Sequence, residues 1–294
     1  MKITIGGSLG NIGKPLTQKL VTAGHKVTVI SSQPARQQEI ESLGAKAAIG
    51  FVNDAAFLTS ALAGADAVFA MTPPNLGGSN VIVNTVNAGA AYATAIRKAD
   101  VKRVVMLSSI GAHLPDGNGP IAAIHQIEKI YQQLPDVSVT FLRAGYFYNN
   151  FYHDIPMIRN AGIEGSNFSF STLMPLVHPK DIATAAAGEL IGMPAGKHVR
   201  YIVGDLRMGV DIAKVLGAAI AKPELPWVEF SDEQAIQGMM QAGVPEEIAH
   251  LYAEMGAGFR KGTIIEDFER QGAPVTGAIR LEEFAKEFAS KFKI

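Results

Sequence analysis

Residues 6–13 read Gly-Gly-Ser-Leu-Gly-Asn-Ile-Gly and follow a short apolar run, Lys2–Ile5. Gly7, Gly10 and Gly13 give the spacing G-x-x-G-x-x-G between a strand and a helix. In a dinucleotide-binding turn the first glycine allows the tight bend. The second lets the backbone approach a pyrophosphate, and the third lets the helix pack on the sheet. The helix then directs its first N–H groups and a positive partial charge at the phosphates. The chemistry expected of Gly7, Ser8, Leu9, Gly10, Asn11, Ile12 and Gly13 is therefore phosphate cradling by main chain.

The end of the second strand selects the cofactor. An acidic residue there binds the ribose 2′-hydroxyl of NAD. Here the chain reads Ile30-Ser31-Ser32-Gln33-Pro34-Ala35-Arg36, with no acid before Glu39. Ser31, Ser32 and Arg36 supply hydrogen-bond donors and charge for a 2′-phosphate, so NADP(H) is expected in preference to NAD(H). Asp54 either contacts the adenine edge or caps the next helix. Met71, Thr72, Pro73 and Pro74 follow the fourth strand at a carboxyl end, where doubly wound folds bind ligands. Gly77-Gly78 is placed to hinge a lid there.

Proton-transfer and nucleophilic machinery is sparse. No Tyr-x-x-x-Lys occurs: Tyr92 is followed four residues on by Ile96, and Tyr131 by Pro135. A carbonyl reductase needs that tyrosine for the developing alkoxide. The chain has no cysteine, which excludes thiolate nucleophiles, disulfides and Cys-ligated metals. Its 7 histidines show no metal-ligand spacing, and Ser108-Ser109 lacks a G-x-S-x-G elbow. A conjugated acceptor that takes hydride and is protonated later by water fits this inventory better than a ketone. Such chemistry asks mainly for positioning.

The elements that must carry these residues are legible in the first half. Strands are expected at 2–5, 26–30, 47–51, 67–71, 103–108 and 137–142. Helices are expected at 12–23, 34–43, 54–62, 80–99 and 121–134. Runs such as VTVI, AVFAM and VVML are continuously apolar, as strands covered on both faces are. The fold class is α/β: a Rossmann-type doubly wound parallel sheet over residues 1–150. Residues 151–294 are punctuated by prolines and read as a smaller, mostly helical, discontinuous domain. Helices are expected there at 181–191, 209–221, 232–242, 246–256 and 281–292, and a strand near 198–203 is expected to rejoin the sheet.

The chain has 294 residues, 26 Lys+Arg against 27 Asp+Glu, and 48% hydrophobic residues. That is enough length to bury a core without a metal or disulfide staple. Near-neutral charge argues against a nucleic-acid or anionic-membrane binder, which needs clustered cations. No apolar run reaches membrane-spanning length, and the opening residues lack a signal-peptide pattern, so a cytoplasmic protein is expected.

Several stretches together resemble the NmrA-like group of atypical short-chain dehydrogenases/reductases. They are the Gly7–Gly13 turn, Gly64–Phe69, Val101–Ser109, Thr140–Asn150, His178–Ala183 and Val275-Thr276-Gly277. The group includes NAD(P)H:quinone oxidoreductases, triphenylmethane and azo dye reductases, and redox-sensing regulators. The resemblance implies a cofactor across the first domain and a substrate cleft beside it. A histidine opens the helix corresponding to 121–134 in quinone-reductase-like members, and a lysine in isoflavone-reductase-like members. His125 is therefore expected to hold the cofactor or donate a proton, with Lys129 one turn on as its partner. Ser108 and Ser109 are expected to border the nicotinamide. Gly145, Tyr146 and Phe147 are expected to cover it, and Tyr146, Tyr148 and Asn150 to line the cleft for a flat substrate. The expected activity is NADPH-dependent hydride transfer to a quinone or similar small planar electron acceptor. A homodimer is compatible with this. The alternative is a non-catalytic NADP(H) sensor acting through a protein partner, as the missing tyrosine–lysine pair allows. An epimerase using bound NAD is disfavoured, because it too needs that tyrosine.

Overall fold

Apolar runs become strands and the amphipathic stretches between them become helices. In chain order the computed structural model contains β1 (Lys2–Ile5), α1 (Gly13–Thr22), β2 (Lys26–Ser31), α2 (Gln37–Ser42), β3 (Lys46–Ile49), α3 (Ala55–Ala61), β4 (Ala67–Ala70), α4 (Val81–Lys98), β5 (Arg103–Ser109), α5 (Ile121–Gln132) and β6 (Ser138–Ala144). There follow β7 (Tyr146–Phe147), α6 (Ile155–Ala161), β8 (Glu164–Ser166), β9 (Leu173–Val177), α7 (Pro179–Gly192), β10 (Lys197–Ile202), β11 (Asp205–Met208), α8 (Gly209–Ala219), β12 (Trp227–Glu229), α9 (Asp232–Gln241), α10 (Glu246–Arg260), α11 (Glu266–Arg270) and α12 (Leu281–Phe292). Short 3-10 segments cover Pro34–Arg36 and Tyr148–Asp154. The structure describes residues 1–72 and 79–293, so the expectations for Pro73, Pro74 and the Gly77-Gly78 hinge lie outside the described residues.

The chain divides into two units. The first is Met1–Ser108, Ala123–Arg143 and Ile182–Arg200; the second is Ser109–Ala122, Ala144–Asp181 and Tyr201–Ile294. The division therefore differs from a single boundary at residue 150. The chain leaves the first unit after β5 and again after β6, because β7 pairs with β9 and not with the main sheet.

The first unit holds a seven-stranded sheet in the order β10-β6-β5-β4-β1-β2-β3. β1 pairs in parallel with both β2 and β4, so the strand order reverses beside its carboxyl end. In open α/β sheets that reversal is where ligands bind. β4 is buried along its whole length, which explains its run of apolar residues. α1 turns Gly13, Leu16, Thr17 and Leu20 inward, the 3–4 residue spacing of one helix face. The core beneath joins Val68, Val104 and Phe141 of the sheet to Tyr92, Ile96, Ile127 and Tyr131 of α4 and α5.

The second unit has a three-stranded sheet, β11-β9-β7, and a two-stranded one, β12-β8. Its core is aromatic. Tyr148, Phe151, Phe168, Phe259, Phe268, Phe284 and Phe288 cluster with Ile212 and Leu216. Among the described residues no helix is long and apolar enough to cross a membrane.

Candidate functional site

The turn after β1 is tied to both neighbouring strands. Gly6 N–H donates to the Phe69 carbonyl of β4 at 2.9 Å, and Ser8 N–H to the Ile30 carbonyl of β2 at 2.9 Å. Gly7 and Ser8 both adopt left-handed backbone, with φ of 90° and 55°. This double bend is favourable only with a glycine to start it. A Cβ on Gly7 would also collide with the end of the Met71 side chain, and one on Gly13 with the Ser8 carbonyl. A Cβ on Gly10 would meet only the Gly7 carbonyl oxygen, at 3.3 Å. Gly10 and Asn11 are exposed, while Leu9 and Ile12 are buried anchors. The turn thus uses Gly7 and Gly13 for its own packing and leaves Gly10 as open backbone.

α1 begins with Ile12 at the N-cap, without a side-chain cap and without an acid in its first turn. No side chain caps its first N–H groups, of which that of Lys14 donates to the Gly10 carbonyl at 3.1 Å. The helix end carries the positive partial charge of the macrodipole. Main-chain donors, exposed glycine and no competing carboxylate fit a dinucleotide pyrophosphate.

At the end of β2 the serines divide their work. Ser31 is buried and accepts from Ser8 Oγ at 2.9 Å and from Gln33 N–H at 3.2 Å, so it braces the turn from below. This corrects its expected role as a phosphate donor. Ser32 is exposed. Arg36 reaches Glu39 at 2.6 Å, and Lys14 at the start of α1 reaches the same carboxylate at 3.0 Å. Hydrogen bonds from Lys14 and then Arg36 hold the Glu39 carboxyl below the usual carboxylate range. Two cations that share one exposed acid thus stand at the edge of the turn. Lys14 escaped notice in the sequence because it lies inside a helix, with no motif to mark it.

Asp54 caps α3: its carboxylate accepts from the Ala56 and Phe57 N–H groups at 2.9 and 3.0 Å. Of its two readings the cap is observed. Phe51, just after β3, is 65% exposed. A single surface aromatic gives no signal in a sequence, yet this one sits at the carboxyl edge of the sheet. Met71 closes over Gly7, and Thr72 is half-buried.

The carboxyl ends of β5 and β6 carry an arrangement the sequence did not announce. Ser108 Oγ donates to Glu128 Oε1 at 2.5 Å. Arg143 donates to the same carboxylate from Nε at 3.0 Å and from Nη2 at 2.7 Å. Glu128 is 2% exposed. α5 turns Ile127, Glu128 and Tyr131 inward, while His125 is half-buried and Lys129 exposed. The expected His125–Lys129 pair is corrected accordingly: the charge this helix presents to the sheet is that of Glu128, and Lys129 faces away. Ser109 is half-buried and donates to the Ile110 carbonyl at 2.9 Å.

The residues after β6 belong to the second unit. Gly145 is needed for close approach, since a Cβ there would lie 2.6 Å from the Pro175 carbonyl oxygen. Phe147 is half-buried on β7, opposite Val177. Tyr146 packs on Phe151 with ring centroids 5.5 Å apart and hydrogen-bonds to Asn150. Tyr148 is fully buried, stacks on Phe284 at 5.3 Å and donates to the Ile279 carbonyl at 3.3 Å. Its expected place in a substrate cleft is corrected: it fills the aromatic core. The later motif residues are joints of this unit. Asp181 accepts from Ile279 N–H at 3.0 Å, and Thr276 and Gly277 donate to the Val203 carbonyl at 2.9 and 2.8 Å.

The NAD(P)H azoreductase of Xenophilus azovorans is 29% identical over 307 aligned positions, covering 99% of each chain. The solved NADPH-dependent quinone oxidoreductase of Escherichia coli, complexed with NADPH, superposes with a TM-score of 0.83 at 20% identity, over 97% of this chain and 99% of that one. The Citrobacter sp. triphenylmethane reductase complexed with NADP(H) gives a TM-score of 0.81 at 19% identity, over 98% and 99%. At these identities the two structures establish the fold. The family model for NAD(P)H binding matches residues 7–161, from the first glycine of the turn to the end of α6. With that match over more than half its length, the chain belongs to the NAD(P)H-binding family.

Proposed function

We propose that this protein is an NADPH-dependent oxidoreductase that passes hydride to a quinone or a similar small planar, conjugated acceptor. The carrying observation is the first turn. It has open backbone at Gly10, collision-limited glycines at Gly7 and Gly13, and an uncapped helix start, all beside the point where the strand order reverses. Reduced nicotinamide supplies the hydride when bound. The residues of this chain supply placement. Main-chain N–H groups of the turn hold the pyrophosphate, and Phe51 offers its exposed ring to the adenine while Asp54 fixes the start of α3 beside it. Ser32, Arg36 and Lys14 favour a 2′-phosphate, because a phosphate competes with Glu39 for two existing cations. We assign the nicotinamide end to His125 and to Ser108, whose hydroxyl Glu128 holds.

The absence of Tyr-x-x-x-Lys points to acceptors that do not need proton delivery during hydride transfer. The names of the azoreductase, quinone oxidoreductase and triphenylmethane reductase relatives fit that class of acceptor. Steady-state oxidation of NADPH and NADH with a panel of quinones, azo dyes and simple ketones tests the reading. Turnover with conjugated acceptors, favouring NADPH and failing with ketones, is the expected result. Turnover with ketones alone, or with none of the panel, refutes it.

A further inference from the structure

The second unit contains a cavity of about 70 Å³ that the hydride-transfer reading does not use. It is lined by Tyr146, Asp154, Glu164, Phe168, Met174 and Trp227, among others. Glu164 opens β8 directly opposite Trp227 of β12. The Trp227 ring lies 5.3 Å from Phe168 and donates its indole N–H to the Phe168 carbonyl at 3.1 Å. Asp154, at the end of the 3-10 segment after β7, hydrogen-bonds to Glu164. Glu164 is 1% exposed, and its Oε2 atom has no hydrogen-bond partner among the described residues.

Buried carboxylates are normally ion-paired or coordinate a metal. Among the described residues no Lys, Arg or His lies within ion-pair distance of either carboxyl. No group of three or more metal-ligating side chains forms there either. Burial pushes both carboxyls up, Asp154 to about 7; Asp154 raises Glu164 further, whereas the hydrogen bond with Glu164 draws Asp154 back down. The Tyr146 phenol faces both carboxyls, and Tyr252 stands near Tyr146. The two hydrogen-bonded carboxyls share one cavity with the Tyr146, Phe168 and Trp227 rings, with no cation beside them among the described residues.

We infer that this cavity binds a small organic cation of the alkylammonium class. Its N–H donors would meet the unpartnered Glu164 Oε2 and Asp154, and its charge would lie against the faces of Trp227, Tyr146 and Phe168. A cation over aromatic faces gains attraction that grows when it is desolvated. A water needs roughly 10–15 Å³ of such space, so the cavity accepts a head group of a few heavy atoms. A hydrated divalent metal is disfavoured, because it wants more oxygen ligands than two carboxyls provide. Every residue in it lies in the second unit, and of these only Tyr146 is also among the residues expected at the nicotinamide and the acceptor.

Trp227 is the only tryptophan of the chain, so intrinsic fluorescence reports directly on the cavity. The full chain is titrated with ethylammonium chloride, against sodium chloride at equal ionic strength and against ethanol as the neutral isostere. A saturable fluorescence change with ethylammonium alone is expected. Its affinity should fall at least tenfold in Glu164→Gln, and it should weaken as pH is lowered, when protons occupy Asp154 and Glu164. No saturable change, an equal response to ethanol, or an unaltered response in Glu164→Gln overturns the inference. Should Glu164→Gln unfold, Asp154→Asn takes its place, and the contrast of ethylammonium with ethanol on the unmodified chain still decides.

Discussion

Gly10 and Gly13 make different demands on the same turn, and single methyl groups separate them. Gly13→Ala drives a Cβ into the Ser8 carbonyl, a backbone atom that cannot step aside. It should cost about 1–3 kcal/mol of stability, in the range of overpacked sites, and denaturant unfolding measures it. Gly10→Ala meets little of the protein, so its unfolding midpoint should hold. NADPH affinity, read by titration, should drop about tenfold or more (about 1.4 kcal/mol), because the methyl occupies the approach of the pyrophosphate. Arg36→Ala should weaken NADPH several-fold and leave NADH unchanged; an equal loss for both would show that Arg36 does not select the phosphate. The glycines were legible because turn chemistry is local. Ser31 misled for the opposite reason. Its type fitted a phosphate donor, but its burial and its bonds to Ser8 and Gln33 depend on two segments meeting.

α5 shows what happens one scale up. Its periodic apolar face predicts the helix, and the helix is there from Ile121 to Gln132. Which charge it buries depends on Arg143, fifteen positions on in another strand, and periodicity cannot report that. Removing one partner of such a pair strands a buried charge, at a cost of about 3–5 kcal/mol. Arg143→Met should therefore be strongly destabilising. Adding Glu128→Leu should recover much of the loss, and chemical denaturation of the single and double variants checks it. The same scale explains the missed strands. β7, β8 and β12 have two or three residues each, too short for an alternation to emerge, and β8 pairs with a β12 some sixty residues away. The long strands of the main sheet, buried on both faces, announced themselves as continuous apolar runs.

For the whole molecule, a cysteine-free sequence offers no thiol for redox chemistry. Stability as a function of pH has a distinctive contributor in the buried Asp154–Glu164 pair. Asp154 binds its proton more tightly folded than unfolded, so it favours the fold at low pH and loses that contribution as pH rises through about 7. The melting temperature should consequently fall between about pH 5 and pH 8 by several degrees more in the natural chain than in an Asp154→Asn/Glu164→Gln variant, at roughly 2–4 °C per kcal/mol. Thermal unfolding at the two pH values decides it. The central claim, that this chain holds NADPH on its first turn and delivers hydride to a planar acceptor, is tested most directly by a single turnover. NADPH-loaded protein is mixed with excess quinone while the reduced-nicotinamide absorbance is followed. The account predicts loss of that absorbance at a rate that saturates with quinone concentration and is lost with Gly10→Ala at subsaturating cofactor. Bound NADPH that stays reduced in the presence of every conjugated acceptor would contradict it.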